Sequence, residues 1–280
     1  MTGEAAPAQG FALDRPLLLI GCGKMGGAML EGWLARGLSP EKAFVVEPAG
    51  APALAARGIT VLSSLDEVPA GLDPAAIVVA VKPQTMDKVL PVLAGIAGPR
   101  SLVLSIAAGK RLALFEGAFG AGTPVVRAMP NTPAAVGRGM TVLVAGGAAG
   151  AMDCDLAGRL CAAVGEIGWV EDEALIDVVT ALSGGGPAYV FLMIEVLAKA
   201  GEKLGLSPDL AMRLARQTVS GSGELARLSS EPADQLRRNV TSPAGTTERA
   251  LNVLMAADGL QPLFDRAIEA ATARSRELAG

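Results

Sequence analysis

The sequence predicts an α/β protein in which an N-terminal doubly wound parallel sheet is followed by an all-helical C-terminal domain. Three observations point there. From Pro16 onward, short apolar runs alternate with longer segments of helical period, the pattern of parallel strands joined by crossover helices. After about Asp172 the strand signal ends and only helical segments follow. The length of 280 residues exceeds what one hydrophobic core usually organises, so two domains are expected. The expected division is a flexible tail over 1–15, a sheet domain over 16–172 and a helical domain over 173–280.

The elements follow in order. Met1 to Arg15 is small and polar, with no basic end leading into an apolar run, so it reads as a tail and not as a signal peptide. Leu17–Ile20 is the first strand. Gly21-Cys22-Gly23-Lys24-Met25-Gly26 follows, and then Met29, Leu30, Trp33 and Leu34 recur at helical spacing, with Gly37 placed to end that helix in a left-handed conformation. Further strands are expected at Ala43–Val46, Thr60–Leu62, Ile77–Val81, Leu102–Ser105, Pro124–Ala128 and Thr141–Ala145, each bounded by Gly, Pro or Ser. Beyond Asp172, helices are expected to break at Gly184–Pro187, Gly205–Pro208, Glu231–Pro232 and Ser242–Gly245. Tyr189 to Ala200 is apolar almost all round, and a helix of that kind in a small domain calls for a second subunit to cover it. An intertwined dimer is expected.

The glycine turn carries the first chemistry. Gly21 permits the tight turn, Gly23 lets the main chain approach a pyrophosphate, and Gly26 lets helix and strand pack closely. The helix N-terminus adds free N–H groups for an anion. Standing between an apolar strand and an amphipathic helix, the turn reads as the dinucleotide site of a Rossmann-like sheet, with Ile20 through Gly26 around the cofactor. Glu47, at the end of the second strand, is placed to bond the adenine ribose hydroxyls and points toward NADH over NADPH; it also fits a solvated strand end. Ser63, Ser64 or Arg57 could reach a 2′-phosphate instead.

Composition removes several classes of function. A net charge of -4 with dispersed Lys and Arg offers no stripe for a nucleic acid. The longest uncharged run, Val178 to Ile194, is interrupted at Ser183-Gly184-Gly185-Gly186-Pro187, which argues against a membrane span. Cys22, Cys154 and Cys161 form no Cys-x-x-Cys pair, which fits a reducing, cytoplasmic setting and argues against a metal site. The chain has no histidine, so Ser-His chemistry and the usual acid/base are absent and a cofactor must do the hard step.

Four further motifs, with the turn, resemble pyrroline-5-carboxylate reductases: Ala80-Val81-Lys82-Pro83-Gln84, Arg127-Ala128-Met129-Pro130-Asn131-Thr132-Pro133, Ser183-Gly184-Gly185-Gly186-Pro187-Ala188-Tyr189 and Val240-Thr241-Ser242-Pro243-Ala244-Gly245-Thr246-Thr247. The resemblance implies reduction of 1-pyrroline-5-carboxylate to L-proline by hydride from NADPH or NADH. It places Ala80, Val81, Lys82, Pro83, Ala107 and Ala108 along the cofactor, with Met129 and Asn131 beside the nicotinamide. It gives the substrate carboxylate to the N–H groups of Gly245, Thr246 and Thr247, helped by the Ser242 hydroxyl, and gives Thr247 the hydrogen bond to the ring nitrogen. Family members include decamers built from dimers.

The residues themselves agree that Ser242 to Thr247 is a turn entering a helix, hence an anion site, although Ser242 or Thr246 reads equally as a plain cap. Lys82 and Tyr189 are rivals to Thr247 as proton source. Two positions depart from the family pattern: Gly185 stands where Ser is common and Ala244 where Gly is common. The competing readings are a related imine or β-hydroxyacid reductase on the same plan, and a dinucleotide-sensing protein without catalysis.

Overall fold

The structure, a computed structural model, describes residues 11–279. Its strands in chain order are β1 (Leu17–Ile20), β2 (Ala43–Val46), β3 (Thr60–Leu62), β4 (Ala76–Val79), β5 (Leu102–Ser105), β6 (Val125–Met129), β7 (Gly139–Ala145) and β8 (Gly165–Trp169). Its helices are α1 (Lys24–Ala35), α2 (Pro52–Ala55), α3 (Met86–Ile96), α4 (Leu112–Phe119), α5 (Ala151–Ala162), α6 (Leu175–Val179), α7 (Gly186–Lys203), α8 (Pro208–Leu228), α9 (Ala233–Asn239), α10 (Thr246–Leu254) and α11 (Leu260–Ala279).

The strands form one sheet in the order β3-β2-β1-β4-β5-β6-β7-β8. β1 is Leu-Leu-Leu-Ile and wholly buried, as a strand covered on both faces must be. Alternate side chains feed two cores: Leu17 and Leu19 pack with Met29, Leu30, Trp33 and Leu160, whereas Leu18 and Ile20 pack with Met86, Leu90 and Phe115. Trp33 is fully buried and its Nε1–H donates to the Leu160 carbonyl at 2.8 Å, which satisfies the one polar atom of that ring. α1 ends as its sequence demands. Gly37 has φ +103°, and the N–H groups of Gly37 and Leu38 close on the carbonyls of Leu34 (3.1 Å) and Trp33 (2.9 Å), a Schellman terminus.

The sheet departs from the parallel expectation at one edge. β7 runs antiparallel to β6, because only a 3-10 turn, Thr132–Val136, lies between them and a parallel partner needs a longer crossover. β8, which the sequence does not announce, pairs parallel to β7; its two glycines and Glu166 interrupt the apolar run that marks the other strands. The tail expected over 1–15 also needs correction. Residues 1–10 lie outside the described ones, while Phe11 is buried and donates its N–H to the Arg36 carbonyl at 2.8 Å, and Arg15 pairs with Asp73 at 3.0 Å.

By contacts the chain forms two compact units, one reaching to Gly184 and resuming at Thr272, the other Gly185–Ala271. The boundary expected after Asp172 therefore falls inside the first unit. α6 packs there: Ile176 and Asp177 are buried, and the Asp177 carboxylate accepts the Ser275 hydroxyl at 2.7 Å. The last turns of α11 thus belong with the sheet.

The break expected at Gly184–Pro187 is a single bend at Gly185. The chain passes from α6 through a π-turn, Thr180–Gly184, into α7. Pro187 sits in the first turn of α7, where a missing N–H costs nothing. As a result Leu175–Lys203 is long and apolar enough to cross a membrane by length and composition alone, and the interruption no longer argues against a span.

The second unit is built of α7 to α10 and the greater part of α11. Its buried apolar side chains are small, Ala198, Ala211 and Ala215. Large ones face outward: Phe191 is 60% exposed and Leu192 56%. Tyr189 and Phe264 meet edge to face with centroids 6.4 Å apart, at the side of an apolar groove of about 440 Å³ lined by Leu192, Met193, Val196 and Leu263 among others.

Candidate active site

The glycine turn lies at the carboxyl end of β1, where the strand order reverses between β1 and β4, the place such sheets hold dinucleotides. Gly21 has φ +89°, and a Cβ there would stand 3.0 Å from the Ala80 carbonyl oxygen; its N–H donates to the Val46 carbonyl at 2.9 Å. A Cβ on Gly26 would be driven into the Gly21 carbonyl oxygen. Around Gly23 a Cβ would meet open space, and Gly23 is the N-cap of α1 with no side-chain hydrogen bond there. An uncapped helix start beside open space suits a pyrophosphate. Ile20 is buried beneath the turn, Cys22 and Met25 are half-buried, and Lys24 is exposed.

Glu47 is not a solvated strand end. One carboxylate oxygen accepts the Cys22 N–H at 2.8 Å and the other the Ala49 N–H at 3.2 Å, which holds the acid against the turn. Burial first, then Glu47 and Glu31, pushes the Cys22 thiol above its ordinary value, so it is a protonated neighbour at neutral pH. The alternatives for a 2′-phosphate are largely engaged elsewhere. Arg57 is forked onto Glu31 at 2.5 and 3.1 Å, and Ser63 gives both its N–H and its hydroxyl to Glu67, which holds that carboxyl below its usual range. Ser64 is half-buried at the start of the next turn.

The other loops at this end of the sheet come next. Ala80 donates its N–H to the Ile20 carbonyl at 2.8 Å, which sets Ala80 and Val81 beside Gly21; Lys82 is exposed, and Pro83 opens a 3-10 turn. Ala107 is buried, its N–H on the Ser105 hydroxyl at 3.3 Å, and Ala108 is exposed. Asn131 is bound on both sides of its amide. Its oxygen accepts the Met140 N–H at 2.9 Å, and its nitrogen donates to the Ser183 hydroxyl at 3.1 Å. Two motifs fifty-odd residues apart, Arg127–Pro133 and Ser183–Tyr189, therefore meet at Asn131 and Ser183.

Sequence reasoning passed over an ion pair in this unit. Arg127 on β6 is 3% exposed, and its Nη1 donates to the Glu173 carboxylate at 2.7 Å. An arginine inside the apolar strand Val125–Met129 signals that an acid must pair with it, though nothing local says which.

In the second unit, Gly245 is the N-cap of α10 and no side chain caps it. The Ala244 N–H goes to the Glu248 carboxylate at 2.8 Å and the Gly245 N–H to the Ser242 carbonyl at 3.0 Å. The N–H groups of Thr246, Thr247 and Glu248 are left to the helix start. Ser242, Thr246 and Thr247 are exposed, and neither Ser242 nor Thr246 caps α10, whose N-cap is Gly245 without a side-chain hydrogen bond. Ala244 adopts φ +57°, a left-handed conformation that a Cβ makes costly by about 1 kcal/mol. Tyr189 belongs to the apolar groove. Among the described residues no group of His, Cys, Asp and Glu could hold a metal ion.

Comparison with known proteins places these features. Residues 173–278 match the family model described as pyrroline-5-carboxylate reductase dimerisation, and residues 17–109 match the model described as NADP oxidoreductase coenzyme F420-dependent. The pyrroline-5-carboxylate reductase of Pseudomonas aeruginosa is 42% identical over 94% of this chain and 96% of its own length. That of Pisum sativum is 39% identical, covering 92% and 94%. Among solved structures, a pyrroline-5-carboxylate reductase from Coxiella burnetii superposes with TM-score 0.88 at 35% identity, over 96% of this chain and all of that one. The Plasmodium falciparum pyrroline carboxylate reductase with NADP bound gives TM-score 0.80 at 32% identity, over 95% and 99%.

Proposed function

The chain belongs to the pyrroline-5-carboxylate reductase family, and on that premise we propose which of its residues carry the reaction and what covers its helices. The protein is an NAD(P)-dependent oxidoreductase that reduces 1-pyrroline-5-carboxylate to L-proline, completing proline biosynthesis. Bound NAD(P)H supplies the hydride that the imine carbon accepts. Ile20 through Gly26 hold its pyrophosphate at the start of α1, Glu47 and Ser64 border the adenosine side, and Ala80 to Pro83 with Ala107 and Ala108 line the remainder. Glu47 at the turn, with Arg57 already committed to Glu31, favours NADH over NADPH, because a 2′-phosphate would meet an acid while the arginine expected to reach it is already paired.

The observation that carries the substrate assignment is the uncapped start of α10. Thr246 and Thr247 present the substrate carboxylate with main-chain donors and the positive end of the helix dipole, Ser242 adds a hydroxyl, and Gly245, expected as a third donor, closes the turn by giving its N–H to the Ser242 carbonyl. Thr247 orients the ring nitrogen and relays a proton to it from water; its own pKa is too high for a strong acid. Met129 and Asn131 act through shape, since the Asn131 amide is already bonded. The apolar faces of the helical unit close on a second copy, giving a homodimer from which a decamer could be built. Three free cysteines suit a reducing cytoplasm.

The test is oxidation of NADH and of NADPH in the presence of pyrroline-5-carboxylate, against a panel of hydroxyacids, for wild type and Thr247→Ala. Loss of tenfold or more in turnover with unchanged cofactor affinity is expected for the variant. Undiminished turnover would remove Thr247 from the mechanism, and a preference for NADPH would remove Glu47 from cofactor selection.

A further inference from the structure

Two contacts converge on one carboxylate oxygen in the sheet unit. Glu173 Oε1 accepts the N–H of Leu112 at 2.8 Å and Nη1 of Arg127 at 2.7 Å. Leu112 is the first residue of α4, directly after the loop that contains Ala107 and Ala108. Arg127 stands on β6 two positions before Met129 and on the same face of the strand. A single acid thus ties the cofactor-lining loop to the strand that carries Met129 toward Asn131.

The attachment is stiff because of what surrounds it. Arg127 is 3% exposed and its other terminal nitrogen, Nη2, is buried without a partner, so Glu173 is the acid that compensates its charge. Glu173 leads into α6, where Asp177, one turn on, accepts the buried Ser275 hydroxyl. The same segment ends in the π-turn, at which Ser183 receives the Asn131 amide and a Cβ added to Gly184 would stand 2.7 Å from the Met129 Cε. Residues 127 to 131 are therefore gripped at both ends by residues 173 to 184, with Met129 between the grips. Nothing in this arrangement needs Glu173 to touch a reactant.

We propose that Glu173 is a positioning residue for hydride transfer: through Leu112 and Arg127 it fixes the loop at Ala107–Ala108 against the strand end at Met129–Asn131. This rests on the assignment of those residues to the cofactor and the nicotinamide. Hydride transfer depends on sub-ångström alignment, so the loss of this tie lowers turnover more than it lowers substrate affinity, which belongs to Ser242–Thr247 in the other unit.

The experiment compares Glu173→Ala, Glu173→Gln and a control, Asp73→Ala, which removes an ion pair of the same unit with Arg15 and Arg100 (3.0 and 2.8 Å) outside the site. Melting temperature, kcat and both KM values are measured for each. Expected are a tenfold or greater fall in kcat for Glu173→Ala with a raised KM for NAD(P)H and little change in KM for the imine, recovery to within threefold in Glu173→Gln, whose amide oxygen keeps the acceptor, and unchanged kcat in Asp73→Ala. A kcat within threefold of wild type in Glu173→Ala, or an equal fall in Asp73→Ala, overturns the proposal. Should Glu173→Ala not fold, Glu173→Asp replaces it, its carboxylate a methylene too short to reach both partners; a folded Glu173→Asp with kcat within threefold overturns the proposal and a larger fall supports it. Wild type inactive on pyrroline-5-carboxylate would instead count against the substrate reading, and the tie is then judged by NADH affinity from fluorescence titration: weaker in Glu173→Ala supports it, equal affinity overturns it.

Discussion

The sheet unit and the helical unit use apolar side chains in opposite ways. In the first, Leu, Ile and Val of the strands fill two cores on either face of one sheet, and Trp33, Phe115 and Met86 are sealed inside. In the second, the fully enclosed apolar residues are alanines, while Phe191, Leu192, Val196 and Leu263 are each more than half exposed. Burial of a Leu or Phe side chain contributes about 1.5–3 kcal/mol, so the sheet unit holds itself together and the helical unit leaves most of that gain unrealised within one chain. Apolar content alone does not define a self-sufficient domain. The difference lies in whether the covering layer comes from the same chain.

The largest expected effect breaks the comparison at its weaker side. Leu197→Glu puts a charge on the exposed face of α7, and at several kcal/mol for a buried unpaired carboxylate it should abolish self-association. Light scattering should give twice the chain mass for wild type and a single chain or aggregate for the variant; an unchanged dimer of unchanged melting temperature would show that this face is not the covered one. Next in size is a change confined to the sheet unit. Gly26→Ala drives a Cβ into the Gly21 carbonyl, and repacking strain of roughly 2 kcal/mol should weaken NADH binding about thirtyfold in a fluorescence titration while the mass of the assembly stays the same. Coupled loss of both would mean that the units are not independent in this sense. The smallest effect is a gain in the helical unit. Ala244→Gly removes the left-handed strain at φ +57° and, after the added flexibility of glycine is subtracted, should stabilise the protein by up to about 0.5 kcal/mol, seen as a rise in melting temperature; a fall would mean that the methyl group packs usefully.

Much of this was legible in the sequence, and the failures have physical causes. β1, β2, β3 and β5 stand where expected because each is an apolar run closed by small or polar residues, whereas β8 hides its strand character behind Gly165, Glu166 and Gly168. Glycine and proline mark breaks only when the backbone must turn. Gly184 to Pro187 joins a π-turn to a first helical turn, a position that tolerates proline, so the interruption shrinks to a bend at Gly185. The boundary expected after Asp172 coincides with the start of the dimerisation family model at residue 173; the contact-based division differs because the return of Thr272 and Ser275 to the sheet unit is a contact across the length of the chain, which local patterning does not contain. At the site, the glycine turn and the turn before α10 were readable from their own residues and backbone needs. Glu173 was not, because its importance comes from Leu112 and Arg127, far away in the chain.

The indole of Trp33, sealed against the Leu160 carbonyl, has a practical consequence. The chain holds two tryptophans and one tyrosine; Trp33 and Trp169 both lie in the sheet unit, and Tyr189, against Phe264, lies in the helical unit. Indole emission therefore watches the sheet unit and not the helical one. A denaturant titration followed by that emission reports the melting of one half of the molecule with no dye attached and no residue replaced.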